Sequence, residues 1–289
     1  MTKRQKHIDD DEKRFFEYLS IPYPYKRPKA QHQKSESGKI LVLADPHEPY
    51  GNETVYRAAE KHKDAEILFV AGDLGDYYSK SRFKKKHHVS FKDELRAVFF
   101  RIEWMATNWP EVRIMLGNHD NRPEKTMLGL FQQNLDLAIL TEQNLLKRLA
   151  SYFDNVDIVG QQLDGTGIEL THIYQLGDCL FTHAAITRAI RESMMGKISE
   201  KLFRWGKMIG LEPYSVIAQA HAHCNFRKTA GSEEWIGLPT ASDPFAIGFD
   251  YIWDARMQGD PPAVGYSLFY QERGKTDLER TRNIVMEPR

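Results

Sequence analysis

The stretch KILVLADPH, residues 39–47, decides how this sequence is interpreted. Its continuous apolar run is typical of a strand buried on both faces. The run ends in Asp45, and His47 follows two positions later. Asn52 then stands where a helix N-cap is expected, ahead of apolar residues at helical spacing. The stretch therefore predicts a strand followed by a helix, with two polar side chains at the carboxyl end of the strand.

The same pattern recurs twice along the chain. EILFVAGD, residues 66–73, predicts a second buried strand, and VRIMLGNHD, residues 112–120, predicts a third. Residues 90–106 between them predict a helix, with Ser90 and Asp93 at the spacing of a capping box. Buried strands that alternate with helices indicate a βαβαβ unit, and therefore an α/β protein with a parallel sheet.

The second half of the chain is richer in strands. We predict strands near Val156–Gly160, Cys179–Thr182, Ser215–Gln219 and Val264–Tyr270, and a helical region over Thr187–Ile209. Residues 1–38 are charged and punctuated by proline, which predicts an extended N-terminal arm with a short helix around Asp11–Leu19. Residues 39–289 are predicted to form one domain, in which residues 123–150 are an inserted helical cap.

Composition restricts the class of protein. The chain has 289 residues, of which 41% are apolar and 28% charged, an ordinary balance for a soluble globular protein. Its 40 basic and 40 acidic side chains cancel, so no global charge directs it to nucleic acid or membrane. The two cysteines are too few for a disulfide framework. With no secretory signal or membrane-spanning run in the sequence, we expect a cytoplasmic location and no membrane contact.

The ends of the predicted strands carry side chains of the kind that ligate metals. In chain order these are Asp45, His47, Asp73, Asp76, Asn118, His119, Asp120, His183, His221 and His223. Because the carboxyl ends of strands in an α/β sheet lie along one edge, we expect five separate segments to meet there. His221 and His223, two positions apart in extended backbone, point to the same side. Imidazole and carboxylate together suit a transition metal.

This ordered set of motifs, from Lys39 to about Asn225, resembles the calcineurin-like metallophosphoesterase superfamily. The resemblance implies an α/β (α+β) fold: a four-layer β-sandwich flanked by helices, with a dinuclear metal site at the carboxyl-terminal ends of strands. It also implies hydrolysis of phosphate esters by a hydroxide that bridges two metal ions. The mixture of oxygen and nitrogen ligands favours Mn, Fe or Zn over Mg.

The resemblance also implies a role for each strand-end residue. One metal is held by Asp45, His47 and His223, the other by Asn118, His183 and His221, and Asp73 bridges both. His119 is the candidate catalytic histidine, oriented by Asp120, and Asp76 supports the ligands.

The sequence departs from the family pattern at several positions. Thr182 and Ala220 stand where a glycine is usual before a ligand, so these two backbones are expected not to need a positive φ. Tyr77 and Tyr78 replace an arginine and a glycine of the protein serine/threonine phosphatases, and Asp120 replaces their glutamate. These differences argue against a phosphoprotein phosphatase.

Two features give weaker indications about the substrate. Residues 77–88, YYSKSRFKKKHH, interleave Tyr77 with basic residues such as Arg82 and Lys84, which could stack bases and neutralise phosphates. A solvated loop is the alternative. Arg122 could hold a phosphate bidentately, or form a surface ion pair.

These observations predict a metal-dependent phosphoesterase, with a preference for phosphodiesters of nucleotides or nucleic acids. The alternatives are a phosphomonoesterase of small metabolites or phosphoproteins, and a non-catalytic scaffold like the family's retromer subunit. Because His119 and every expected ligand are present, the sequence favours an enzyme over a scaffold. A phosphate ester is the expected partner, and no obligate protein partner is indicated.

Overall fold

The computed structural model describes residues 38–81, 88–130, 145–162, 169–183, 191–244 and 262–286. Its strands are β1 Gly38–Leu43, β2 Ile67–Ala71, β3 Val112–Met115, β4 Val156–Val159, β5 Gln161–Gln162, β6 Glu169–Leu170, β7 Ile173–Leu176, β8 Cys179–Thr182, β9 Val216–Gln219, β10 Phe226–Ala230, β11 Glu233–Gly237, β12 Gly265–Glu272, β13 Lys275–Thr276 and β14 Arg282–Val285. The helices are α1 Glu53–Ala59, α2 Phe91–Asn108, α3 Arg122–Leu130, α4 Leu145–Ala150 and α5 Arg191–Trp205, with 3-10 turns at Glu60–His62, Tyr78–Lys80 and Gly206–Ile209.

Two larger sheets organise these strands. The seven-stranded sheet has the order β13-β12-β1-β2-β3-β4, with β14 paired to β12. Strands β1 to β4 are parallel neighbours, which confirms the predicted βαβαβ unit, whereas β12 joins β1 antiparallel. The five-stranded sheet has the order β10-β11-β9-β8-β7, and β8 and β9 run parallel within it.

Alternation along the strands distributes the core over two faces of the larger sheet. Ile40 and Val42 face the smaller sheet, where Phe69 packs on Phe181 with ring centroids 4.5 Å apart. Leu41 lies on the other face, under α1 and α2. Each large side chain buried in this way contributes about 1.5–3 kcal/mol.

The outer face of the smaller sheet is covered in turn by α5, through a cluster that includes Met194 and Leu180. The order of layers is therefore helices, sheet, sheet, helix. The predicted four-layer β-sandwich is confirmed.

Capping explains where the two helices after β1 and β2 begin. The side chain of Asn52 accepts the amides of Thr54 and Val55, as predicted for the N-cap of α1. At α2 the expected capping box is wrong, because Ser90 makes no side-chain cap hydrogen bond. There the backbone amide of Asp93 donates to the carbonyl of Ser90 instead.

Several boundaries predicted from the sequence have different outcomes. The strands expected near residues 156–160, 179–182, 215–219 and 264–270 correspond to β4, β8, β9 and β12. Strands β7, β10 and β11 and the short strands β5, β6, β13 and β14 were not predicted. The N-terminal arm lies outside the described residues except for Gly38, which begins β1. The division into an arm, one domain and a cap over residues 123–150 stays a prediction; α4 and all of α3 except Arg122 fall within the proposed cap.

Candidate metal centre

The carboxyl ends of β1, β2, β3, β8 and β9 meet at one edge of the sandwich. The atoms of Asp45, His47 and His223 that could ligate a metal lie within 4.8 Å of one another, and so do those of Asp73, His183 and His221. Asn118 joins the second group, because its Oδ1 is 3.2 Å from Nε2 of His183. A third group within the same limit is His47, Asp73 and His119. The structure thus brings together all seven side chains predicted as ligands, and their division between two metals stays a prediction.

The loops that carry these side chains have an unusual backbone. Asp45, His47, Asp73, His221 and His223 all have positive φ, between 47° and 68°. This left-handed region costs a non-glycine residue of order 1–3 kcal/mol and persists only where surrounding contacts hold it. Neither Thr182 nor Ala220 has a positive φ, in agreement with the prediction for those positions.

Hydrogen bonds between the loops hold this conformation. The amide of His47 donates to the carbonyl of Asp73 over 2.9 Å, and the amide of His221 donates to the carboxylate of Asp45 over 3.0 Å. Thr240, which follows β11, donates its hydroxyl to the carbonyl of Asp45 over 2.8 Å. No sequence pattern pointed to Thr240 as a support of the first ligand loop.

Two glycines are required by the close approach of the loops. A Cβ on Gly117 would lie 2.0 Å from Oδ1 of Asp73, and a Cβ on Gly72 would lie 2.2 Å from Nδ1 of His183. The glycines of the Gly-Asp and Gly-Asn motifs are therefore steric requirements of the packed ligand side chains.

Asp73 is the central carboxylate of the cluster. Its Oδ1 accepts the amide of His119 over 2.7 Å. Its buried Oδ2 makes no hydrogen bond within the described part of the chain, yet Nε2 of His183, His47 and His119 lies 3.1, 3.8 and 3.9 Å away. Although burial acts in the opposite direction, the charges of His183 and His119 hold the pKa of Asp73 well below its usual value.

The chain matches the model of the calcineurin-like phosphoesterase family over residues 38–208, more than half of its length. The chain belongs to this family. Membership confirms the predicted activity class, hydrolysis of phosphoric esters, in a family that binds divalent metals. No curated protein matches the sequence.

Several solved structures are similar to this phosphoesterase at low identity. A metallophosphoesterase from Sphaerobacter thermophilus is 14% identical, with 88% of this chain and 90% of that chain covered and a TM-score of 0.42. Vacuolar protein sorting 29 from Cryptosporidium parvum is 10% identical, with 88% and 100% covered and a TM-score of 0.40. A novel archaeal phosphodiesterase is 14% identical, with 86% and 99% covered and a TM-score of 0.37. At these values the similarities carry no argument about substrate.

The donor atoms of this phosphoesterase fit divalent metal ions. Nδ1 of His183 lies 3.0 Å from the carbonyl of Ala71, which can only accept, so this nitrogen carries the proton. In a neutral ring, Nε2 then turns its lone pair toward the oxygens of Asp73 and Asn118, an arrangement that a cation between them would stabilise. Separations of roughly 3.0–3.5 Å are expected for atoms that share a metal with bonds of about 2.1 Å.

Without a metal, a proton would take the place of the cation at His183. Burial lowers its pKa, but the carboxylates of Asp73 and Asp45 outweigh burial and raise the pKa to about 10. The two carboxylates therefore favour positive charge at this ring.

The predicted orientation of His119 by Asp120 is wrong. Nδ1 of His119 lies 2.8 Å from Oδ1 of Asp76, and the same oxygen lies 3.1 Å from Nδ1 of His47. The carboxylate of Asp120 instead accepts hydrogen bonds from the backbone amides of Gly117, Gly75 and Leu74. These bonds join the loop after β2 to the loop after β3. Burial and the charge of Asp73 raise the pKa of Asp120 to about 6.

Arg122 lies in the centre, where Nη1 forms an ion pair with Oδ2 of the buried Asp76 over 3.7 Å. One guanidinium nitrogen donates to the carbonyl of Asp76 over 2.8 Å, and another lies 2.8 Å from Nε2 of His119. The side chain is partly exposed, so a ligand at the edge of the cluster could reach it.

The other proposed substrate contacts have less support. Tyr77 is fully buried and its ring packs against Phe91, so the expectation that it stacks a base is wrong. Arg82 and Lys84 lie outside the described residues. Nζ of Lys80 lies 4.3 Å from the centre of the Phe91 ring.

Across the described residues, no helix is long and apolar enough to cross a membrane.

Proposed function

We propose that this phosphoesterase holds two divalent metal ions and hydrolyses phosphodiesters of nucleotides or nucleic acids. The observation that carries the proposal is the position of Asp73 between two donor sets. Asp45, His47 and His223 form one set, and Asn118, His183 and His221 form the other. A carboxylate between two sets of mixed oxygen and nitrogen donors suits a pair of Mn, Fe or Zn ions.

Bound at these residues, the ions would supply Lewis-acid charge and bring the pKa of a water ligand toward neutrality. The proposal therefore needs no nucleophilic side chain, and Cys224 is directed elsewhere. A Cβ on Gly237 of β11 would lie 2.8 Å from its Sγ, so the thiol faces that strand. Single-turnover hydrolysis in heavy-oxygen water should label the released phosphomonoester, and a trapped phosphoryl-protein would contradict the proposal.

His119 is placed to assist the leaving group. Oδ1 of Asp76 accepts a hydrogen bond from the protonated Nδ1, so Nε2 is the nitrogen that can exchange a proton with the ester oxygen. Arg122 donates to that nitrogen over 2.8 Å. A phosphate oxygen is a stronger acceptor than imidazole, so we expect the guanidinium to turn to the bound phosphate and release Nε2.

The preference for diesters rests on sequence features. Tyr78 and Asp120 stand where protein serine/threonine phosphatases carry a glycine and a glutamate. In addition, five of the six residues 82–87 are arginine, lysine or histidine. The buried Tyr77 no longer supports this preference.

A metal-by-substrate panel tests the proposal. Mn, Fe, Zn, Ni and Mg are each combined with a nitrophenyl monoester, a bis-nitrophenyl diester, cyclic nucleotides and DNA. We expect the highest kcat/KM for a diester with a transition metal. A higher kcat/KM for the monoester would favour the metabolite phosphatase. Hydrolysis of no ester with any metal would favour the scaffold.

A further inference from the structure

His172 stands directly opposite His183 at the open end of the β7–β8 hairpin, away from its turn. The two strands pair antiparallel with Ile173 opposite Thr182, and the next position in this register pairs His172 with His183. The amide of His183 donates to the carbonyl of His172 over 2.9 Å, so the pairing continues beyond the last strand residues.

This register determines the direction of the His172 side chain. Residues directly opposite in an antiparallel pair project to the same face, with Cβ atoms about 4.5–5.5 Å apart. Tyr174 and Phe181, two positions earlier on each strand, both lie in the core between the sheets. His172 and His183 therefore project toward that same face, at the end where the metal centre lies.

The two histidines differ in their exposure to solvent. His183 is fully buried beside Asp73, whereas His172 is exposed. The loop that carries His172 is fixed, because the amide of Leu116 donates to the carbonyl of Thr171 over 2.9 Å. Among the described residues, none forms a hydrogen bond with the His172 ring. Desolvation by the surrounding protein, with a smaller contribution from His183, lowers the pKa of His172, in agreement with their proximity.

We propose that His172 binds the phosphate ester from the side of Asn118, His183 and His221, through a hydrogen bond from its ring to a phosphate oxygen. His119 occupies the other side, where its ring centroid is 4.6 Å from that of His47. Each donor set then has one histidine that is not among its ligands. This inference rests on the proposed function, since it assumes that a phosphate ester occupies the centre.

The two histidines differ in their expected effects on kinetics. His119 is hydrogen-bonded to Asp76 and assists departure of the leaving group, so it acts in the chemical step. His172 contacts an oxygen that carries negative charge before and after the reaction, so it stabilises the bound substrate and the transition state alike. Loss of such uniform binding raises KM and leaves kcat nearly unchanged.

The test compares His172→Ala, His172→Gln and Thr171→Ala in the manganese-loaded protein. Hydrolysis of a bis-nitrophenyl diester gives KM and kcat, calorimetry with dimethyl phosphate gives Kd, and elemental analysis gives metal content. We expect His172→Ala to raise both KM and Kd about tenfold or more, with kcat and metal content unchanged, because a hydrogen bond to a charged group is lost. His172→Gln keeps an N–H donor and should recover most of the affinity.

Thr171→Ala is the matched control, since it alters the neighbouring side chain and keeps the backbone bond to Leu116. Unchanged KM and Kd in His172→Ala, or a loss of metal, would overturn the inference; the second result would make His172 a support of His183. If the wild-type protein hydrolysed no ester, the proposed function would fail. The Kd for dimethyl phosphate would still decide: weaker binding in His172→Ala supports the inference and equal binding rejects it.

Discussion

Oδ1 of Asp76 lies 2.8 Å from Nδ1 of His119. The same oxygen lies 3.1 Å from Nδ1 of His47, so one carboxylate fixes the ring of a proposed ligand and that of the proposed acid. Because Nδ1 of both rings contacts Asp76, Nε2 of both rings points toward the centre. There each Nε2 lies within 3.9 Å of Oδ2 of Asp73. The orientation of His119 is thus coupled to the geometry of the metal site.

His119→Asn should lower activity in a way that depends on the leaving group. General acid assistance is worth about 10²–10⁴-fold. An alkoxide leaving group needs a proton, whereas nitrophenolate leaves readily without one. We expect a strong decrease in kcat on an alkyl phosphodiester and a much smaller one on a nitrophenyl diester, with metal content retained. Steady-state kinetics on both esters, with elemental analysis of the same variant, measure this.

Asp120→Asn is the comparison for that variant. Its carboxylate accepts backbone amides from the loops after β2 and β3, and an amide group would leave at least one of them without an acceptor. We expect a loss of about 1–3 kcal/mol in the free energy of unfolding and equal decreases in kcat on the two esters. If His119→Asn also gave equal decreases together with depleted metal, His119 would be a structural residue.

Asp73→Asn should reduce metal binding at both proposed positions, because Asp73 lies between the two donor sets. An isosteric amide removes the charge of the carboxylate with little change in shape. We expect metal content to fall toward zero and activity to fall with it. Asp64→Asn is the control: this exposed residue pairs with Lys39 near the opposite ends of β1 and β2, and the variant should keep its metal. Full occupancy in Asp73→Asn would contradict a bridging role.

The sequence predicted the parallel part of the fold because those strands are buried on both faces. β2 is apolar throughout, β1 is apolar from Ile40 onward, and β3 is apolar except for Arg113; each leads directly to residues of the centre. β10 was missed because Arg227, Lys228 and Thr229 face solvent at the edge of a sheet and form no apolar run. A signal was present in Gly231, whose φ of 65° suits the tight turn between β10 and β11.

The pairing within the centre depends on tertiary structure in a way that the sequence did not reveal. Asp120 is adjacent to His119 along the chain, yet their side chains diverge in the turn after β3, and Asp76 approaches from another loop. His172 was missed for a related reason: its position opposite His183 follows from the register of β7, a strand that was not predicted.

Replacement of Lys84, Lys85 and Lys86 by alanine tests the preference for nucleic acid. These residues lie outside the described part of the chain, so the prediction rests on their charge and on their position after the Asp76 loop. Fewer displaced counterions should flatten the salt dependence and raise KM for polynucleotides, with little effect on a small diester. Polynucleotide kinetics over a range of salt concentrations measure this, and an unchanged slope would favour a small-metabolite substrate.

Gly117→Ala and Gly129→Ala form a matched pair that tests the packing of the ligand loops. A Cβ at Gly117 would lie 2.0 Å from Oδ1 of Asp73 and 2.4 Å from its backbone nitrogen, so the ligand or its loop must move. At Gly129, within α3, a Cβ meets nothing within 4 Å. We expect Gly129→Ala to stabilise the protein by up to about 1 kcal/mol through helix propensity, with unchanged metal content. Gly117→Ala should lose about 1–3 kcal/mol of stability from overpacking, and metal affinity should fall at least tenfold because Asp73 is displaced. Urea unfolding and metal titration of both variants separate the two effects. If Gly117→Ala lost stability and kept its metal affinity, the carboxylate of Asp73 would not be the element that joins the two donor sets.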